Sequence, residues 1–381
     1  MVNLETDTTS EKLSLRILLP ALLPVLLCWA FLCIYLIAKS PDEYSESERR
    51  KLAAFPELTY ASFQTGNYAG LLEGYLKDQF PLRDDFRSLA GFCTHNLYRR
   101  DENNGYLLRD DHIVLLNYPL NESSLEHAAN HFTGIYDTYL AKTDCNVFFC
   151  IIPEKNQYLL QQGAEPVISY ETTAEYFTDA LPFSTFIEID DILTANNYYA
   201  TDTHWRQETL LPVAQRILSV LSENASFTYS PNYTPAVALT DFRGVLSSGG
   251  GYFNMSESLS YFDSPNFSAV TVTHAEPDKA TSIYDEDELF GPDPYSYFLS
   301  GPSALITIEN PNAASDKELI LFRDSFGSAI APLFLEEYAR ITLVDTRYIR
   351  SAFLGEYITF DNQDILFLYS TMLLNESATL K

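Results

Sequence analysis

The turn Asp324-Ser325-Phe326-Gly327 follows the apolar run ELILFR, and about 120 residues earlier the segment ATDTHW carries Asp202, His204 and Trp205. Together they offer a serine hydroxyl, an imidazole and a carboxylate, the minimum set for nucleophilic acyl transfer. A serine hydroxyl attacks a carbonyl only when a positioned imidazole takes its proton, and a carboxylate partner fixes that imidazole's tautomer. Asp202 and His204 are two positions apart, so in an extended segment they project to the same side. Ser325, His204 and Asp202 are the candidate nucleophile, general base and orienting acid. Each has a plainer reading: Ser and Asp dominate helix N-caps, and an Asp-His pair is often a loop hydrogen bond. Of the six histidines, His204 alone joins same-face carboxylate spacing to an aromatic flank. His112 follows Asp110 and Asp111 in an expected turn, His127 and His131 share a helical face, and His95 and His274 are isolated.

Strands and helices alternate around this chemistry. Apolar runs predict strands at NVFFCIIP, TFIEI, ELILFRD, ARITLVD and DILFLYS. Helical spacing predicts helices from Leu125 to Tyr139, around Thr172 to Asp179, from about Gln207 to Leu221, and over SAIAPLFLEEY. GYLLRDDHIVLLN reads as a hairpin. Leu71, Leu72, Tyr75 and Leu76 mark a helical region interrupted at Pro81. Alternation with continuous apolar strands predicts an α/β fold with a mostly parallel sheet covered on both faces. Ser325 then stands at a strand-to-helix turn on the carboxyl edge of the sheet, with helix N–H groups facing a developing oxyanion. Residues about 222–316 change character to Ser, Asn, Tyr, Gly and Pro with scattered β-runs. They read as a β-rich insertion walling the cleft.

Acidic residues outnumber basic ones 52 to 24, a formal charge of -28, so binding to a phosphate backbone is excluded. Hydrophobic content of 46% with 14% aromatics suits a packed core. The 26 tyrosines and 25 phenylalanines could include sugar-stacking platforms, although most belong to the core. Cys145 and Cys150 bracket an expected strand at odd spacing, on opposite faces, and no C-x-x-C occurs, so neither a disulfide framework nor a zinc knuckle is expected. Asp202, His204 and Asp324 lack a further strong ligand for a metal. No metal or cofactor is expected.

Residues 17–38 hold no charge, and as a helix they would reach about 33 Å, enough for a bilayer core. A signal peptide has a shorter apolar region, and no small-x-small cleavage site follows. The expected layout is a short tail (1–16), an anchor (17–38), a charged stalk and helical region (39–105), and a catalytic domain (106–381). Lys12 and Arg16 precede the span while Lys39, Arg49, Arg50 and Lys51 follow it. Long domains translocate largely regardless of such charges, so the body is expected outside the cell on a single-pass anchor.

The ordered blocks SERRKLAAFPELT, LLEGYLKDQFPLRD, IIPEKNQY, TDTHW, FRGVLSS, LFRDSFGS and VDTRY, spanning about Glu48 to Tyr348, resemble the DHHW family. These bacterial proteins are similar to the alginate O-acetylation enzymes with an SGNH-hydrolase-like domain. The resemblance implies a three-layer SGNH-like sandwich in which the Asp-x-His element precedes the serine. It assigns Ser325 as nucleophile, His204 as base and Asp202 as acid. Thr203 stands where the family name has a histidine, leaving the triad intact, and Arg323 replaces the usual glycine before Asp-Ser. Arg323, Asp324, Trp205 and Lys155 are the candidate oxyanion or cleft residues; Arg347 of VDTRY is another, and each cation could instead pair with a carboxylate. The implied activity is transfer of acetyl to, or its removal from, an exported polysaccharide, with a membrane acyltransferase as acetyl donor. The alternatives are a non-catalytic glycan-binding or envelope-assembly protein on the same fold, and a lipid-active esterase.

Overall fold

The computed structural model describes residues 20, 22–32, 34, 35, 38–45, 50–222, 227–230, 232–252, 254–277, 279–313 and 315–381. The chain divides into two units, 1–89 and 90–381. In the first, β1 (Tyr44–Ser45) pairs antiparallel with β2 (Arg50–Lys51). The helix Tyr60–Gln64 is capped by Thr59, whose side chain accepts from the Ser62 N–H while Ser62 answers, satisfying two donors that a helix start leaves open. The helix Asn67–Asp78 ends ahead of Pro81, because a proline cannot donate to the preceding turn. The expected anchor, 17–38, lies partly outside the described residues. Within it 22–32 are helical and almost wholly exposed, and among the described residues no helix is long and apolar enough to cross a membrane.

The second unit opens with β3 (Glu102–Asn103), β4 (Tyr106–Arg109) and β5 (His112–Leu115) in one antiparallel sheet. Asp110 and Asp111 turn the hairpin with φ of 46° and 61°. Two central residues at positive φ give the turn whose twist matches the strands, and Asp tolerates that region.

Seven strands make the main sheet: β6 (Asn146–Ile152), β7 (Thr185–Ile187), β10 (Thr271–His274), β11 (Leu305–Glu309), β12 (Glu318–Arg323), β13 (Arg340–Val344) and β14 (Asp364–Ser370). A separate hairpin joins β8 (Thr234–Phe242) to β9 (Glu257–Asp263). The order is β10-β11-β13-β12-β14-β6-β7. The five strands from β13 to β7 run parallel, and β10 and β11 add an antiparallel edge. The expected insertion is therefore divided: its β10 and β11 extend the core sheet, and only β8 and β9 stand apart.

Alternate residues of the central strands enter different cores. Phe148, Cys150 and Ile152 of β6, Leu319 and Leu321 of β12, and Leu366 and Leu368 of β14 face one. Val147, Phe149 and Ile151, Ile320 and Phe322, and Ile365 and Phe367 face the other. A period of two with both faces apolar is what a sheet covered on two sides demands. The first face packs on Val213, Ala214, Ile217, Leu218 and Leu221 of the helix Leu211–Leu221. The second packs on Leu125, Ala128, Ala129, Phe132 and Ile135 of the helix Glu122–Ile135. Each such side chain removed from water stabilises by about 1.5–3 kcal/mol for Leu, Ile or Phe. The expected helix SAIAPLFLEEY is α-helical only over Gly327–Ile330 and continues as a 3-10 turn over Ala331–Glu336, since Pro332 supplies no N–H.

Candidate active site

Ser325 stands just beyond the carboxyl end of β12, with β13 on one side of that strand and β14 on the other. This reversal of strand order opens a crevice at the carboxyl edge of a parallel sheet. Asp324 fixes the turn. Its Oδ1 accepts the Phe326 N–H at 3.0 Å, and its Oδ2 accepts the Ser370 N–H at 2.8 Å and the Ser370 hydroxyl at 2.7 Å. The end of β12 is thereby tied to the end of β14, and Ser325 is left half-buried above them.

The segment from Tyr198 to Trp205 is a closed loop, not the extended strand the spacing suggested. Tyr198 and Trp205 form a bridge, and the Tyr199 N–H donates to the His204 carbonyl at 3.0 Å. Inside it Asp202 Oδ1 accepts both the His204 backbone N–H, at 3.1 Å, and Nδ1 of the His204 ring, at 2.6 Å. An aspartate bonded to the N–H two residues on is a turn in itself. It aims the imidazole without a strand.

His204 Nε2 lies 2.7 Å from Ser325 Oγ. Asp202 is wholly buried and His204 is 8% exposed, so the carboxylate–imidazole contact is shielded while the hydroxyl is reachable. The three side chains lie in the order carboxylate, imidazole, hydroxyl. With Nδ1–H held on the carboxylate, Nε2 presents its lone pair to the serine proton.

Two side chains, the buried Lys155 and the half-buried Glu257, clamp the loop from opposite polarities. Lys155, 4% exposed, donates to the carbonyls of Tyr199 (2.8 Å), Ala200 (3.1 Å) and Asp202 (2.8 Å). Burial pushes its ammonium down to about 7, against the pull of Asp202 and Glu257. Glu257 accepts the N–H groups of Ala200 and Thr201 at 3.0 and 2.7 Å and the Thr201 hydroxyl at 2.8 Å. Behind Asp202 the Val245 N–H donates to Oδ2 at 2.9 Å, and the Gly244 N–H donates to the Thr201 hydroxyl at 2.9 Å. Gly244 has φ -71° and ψ 166°, a conformation open to any residue. Glycine is required there for space: a Cβ would lie 2.3 Å from the Thr201 carbonyl oxygen and 2.4 Å from the Asp202 Cβ.

Other candidates turn inward. Trp205 is fully buried and its Nε1 donates to the Phe326 carbonyl at 3.0 Å. It braces the histidine loop against the serine turn and cannot meet a sugar face. Arg323, 1% exposed, donates to the Asp324 carbonyl at 3.3 Å and lies 3.8 Å from Asp345. Burial lowers its pKa. Arg347 closes on the same Asp345 carboxylate at 2.9 and 2.6 Å. The helix start offers no oxyanion site, since only four residues are helical. Of the N–H groups from Ser325 to Ser328, that of Phe326 is bonded to Asp324 Oδ1, that of Gly327 to the Asp324 carbonyl and that of Ser328 to the Ser325 carbonyl.

Sequence reasoning did not find Glu257, Gly244, Val245 or Tyr295. The Tyr295 ring stacks on the His204 imidazole at 3.9 Å and 11°, and Phe326 lies 4.8 Å away from the same ring. Gly244 and Val245 lie in the quoted block FRGVLSS, which was the available signal. Glu257 and Tyr295 sit in the insertion, about 50 and 90 residues from His204, and no local pattern marks them.

Fold and site define an α/β protein with a serine–histidine–aspartate hydrogen-bonded set at the carboxyl edge of its sheet. No protein-family model and no curated protein matches the chain. Similar solved structures include a DHHW family protein from Eubacterium siraeum, 20% identical with TM-score 0.59, covering 72% of this chain and 93% of that one. PatB1 of Bacillus cereus with a sulfonyl adduct is 19% identical with TM-score 0.54, covering 70% and 93%. The O-acetyltransferase domain of Pseudomonas putida AlgJ is a remoter neighbour, 11% identical with TM-score 0.41, covering 72% and 93%. At these identities the likeness is one of fold, and its DHHW member agrees with the family resemblance in the sequence blocks.

Proposed function

We propose that this protein is a serine-dependent acyl-transfer enzyme, an O-acetyltransferase or acetylesterase acting on an exported polysaccharide. One observation carries the reading: a single imidazole bonded to Asp202 at 2.6 Å and to the Ser325 hydroxyl at 2.7 Å. In the proposed reaction Ser325 Oγ attacks the acetyl carbon of an ester while its proton passes to His204 Nε2. The tetrahedral oxyanion is met by the Ser325 N–H. As the ester C–O bond breaks, His204 returns the proton to the leaving alcohol, leaving acetyl-Ser325. A sugar hydroxyl or water then attacks that acyl group with His204 again as base. Transfer and hydrolysis differ only in which hydroxyl arrives.

The polysaccharide and a membrane acyltransferase as acetyl donor come from the resemblance to the alginate enzymes. A single N-terminal anchor with the body outside the cell is proposed from the uncharged stretch 17–38, in which Leu22, Leu26, Leu27, Trp29 and Phe31 are exposed. A sulfonyl adduct, as the PatB1 structure carries, is the product an activated serine forms with a sulfonyl fluoride.

The test treats the purified protein with a sulfonyl fluoride and with a chromogenic acetyl ester, beside Ser325→Ala. The expected result is a single sulfonyl mass on the Ser325 peptide, with ester turnover falling roughly 10⁴-fold or more in the variant. Equal turnover by the two proteins removes Ser325 as nucleophile. A folded protein that is neither labelled nor active is better described as the glycan-binding alternative.

A further inference from the structure

Arg323 carries its charge beneath the serine turn without the partners such a group usually has. It is 1% exposed, yet its Nε and Nη2 have no partner among the described residues. Its ion-pair partner Asp345, 3.8 Å away, is already held by Arg347 at 2.9 and 2.6 Å. A buried donor left unpaired costs stability, and a guanidinium stays charged at neutral pH. The fold therefore gains little from this charge.

What the guanidinium reaches is a single peptide unit. Its Nη1 donates to the Asp324 carbonyl at 3.3 Å, and the Gly327 N–H donates to the same oxygen at 3.1 Å. Gly327 also makes room for the arginine stem, since a Cβ there would lie 2.6 Å from the Arg323 Cβ and 2.9 Å from its Cγ. At the other end of that peptide is the Ser325 N–H. Among the described residues it has no partner, whereas the N–H groups of Phe326, Gly327 and Ser328 are all bonded within the turn. The bond is trans, so the planar unit points its C=O and N–H in opposite directions. Two donors that fix the carbonyl thus fix the N–H as well, and a cation on the oxygen makes that N–H a stronger donor.

We propose that Arg323 is a positioning residue for the oxyanion: bonded to the Asp324 carbonyl, it orients and polarises the Asp324–Ser325 peptide, whose N–H holds the negative oxygen of the tetrahedral intermediate. Arg323 itself touches neither substrate nor reacting atoms. The inference rests on the acyl-transfer reading and adds how a turn with one free N–H stabilises its oxyanion. As Ser325 Oγ bonds to the acyl carbon, the C=O π pair moves onto oxygen. That charge is absent from the bound ester, so the effect falls on kcat and leaves KM nearly unchanged. The donor is weakened and not removed, so the loss is smaller than the roughly 10²- to 10³-fold that follows deletion of an oxyanion donor.

Arg323→Met and Arg323→Lys are compared with the wild type on an aryl acetate, with thermal unfolding and inhibition by phenylboronic acid measured alongside. The boronate forms a tetrahedral, negatively charged adduct on serine and so reports on the oxyanion donor. Methionine keeps the stem and removes the charge, and Asp345 keeps Arg347. In Arg323→Met the expected kcat falls roughly 5- to 50-fold at a KM within about twofold, and boronate affinity weakens by a similar factor. The unfolding midpoint does not drop, because a poorly satisfied buried cation has gone. Arg323→Lys, which restores the charge, recovers part of the loss. A folded Arg323→Met with wild-type kcat, or one whose kcat falls while boronate affinity holds, overturns the inference. An Arg323→Met that does not fold makes the guanidinium structural and overturns it equally. In each of these cases sulfonyl labelling of wild-type Ser325 leaves the acyl-transfer reading standing, whereas a wild type without turnover or label removes both.

Discussion

Gly244→Ala is the sharpest probe of how the site is held. The substitution adds one methyl at a backbone conformation that alanine adopts freely, so its whole effect is steric. The new Cβ would meet the Thr201 carbonyl oxygen at 2.3 Å, whereas ordinary contact begins at 3.4 Å, so about 1.1 Å of separation has to be found. The obstacle is backbone, clamped by Lys155 on its carbonyl side and Glu257 on its N–H side. Either Asp202 moves, dragging His204 from Ser325, or Gly244 withdraws and the 2.9 Å bond from the Val245 N–H to Asp202 is lost. A displacement near 1 Å in a reacting geometry costs roughly 10²-fold in rate, and forced overpacking costs about 1–3 kcal/mol of stability. The assay is kcat and kcat/KM on an aryl acetate, with thermal unfolding alongside. A variant that keeps its activity within twofold refutes the reasoning, because the close approach would then do nothing for Asp202. One that unfolds far below the wild type yet labels normally at Ser325 when folded refutes it equally.

Three further outcomes follow from the same geometry. Lys155→Met removes three hydrogen bonds but also a buried cation whose desolvation opposes folding, so the unfolding midpoint shifts little while ester turnover drops roughly tenfold or more as the Asp202 loop loosens; unchanged turnover would free the loop from Lys155. Tyr295→Leu loses the ring stacked on His204, a contact worth about 0.5–2 kcal/mol to an imidazolium, so kcat falls roughly 2- to 30-fold. Tyr295→Phe keeps the ring and removes a buried hydroxyl with no partner among the described residues, so its rate should match the wild type. His131 is pushed down to about 4 by burial and by His127, so below its ordinary value near 6.5 the unfolded chain binds a proton that the folded one refuses. Its contribution is present above pH 6.5 and is lost as pH falls toward 4, about 2 kcal/mol between pH 7.5 and 5. Denaturant unfolding of His131→Gln at both pH values should show that much less acid sensitivity, and an unaltered difference would clear His131.

The central strands and their facing helices were legible because each carries its own signal. NVFFCIIP, ELILFRD and DILFLYS each carry an unbroken apolar run, VFFCII, LILF and ILFLY, a pattern that fits strands buried on both faces. The insertion was legible in outline alone. Strands β10 and β11 are four and five residues long, too short to show period or partner, and their place at the sheet edge depends on β11 pairing with β13 and β10 with β11. The Asp202–His204 spacing pointed to a pair that the structure does bring into contact, but an aspartate turn and not a strand aims the ring.

Residue type and order by themselves determined which groups could do chemistry, because an apolar run leading into Asp-Ser and an Asp-x-His-Trp segment are local features. Only the tertiary structure decided that they meet, and on what terms. Trp205 became a buried brace and Lys155 a loop anchor, Gly244 closed on Asp202 from the block FRGVLSS, and Glu257 and Tyr295 entered from stretches with no local signature. The reason is physical: hydrogen bonds of 2.6 and 2.7 Å hold only where distant backbone and side chains fix both ends, and chain separation carries no record of such distances.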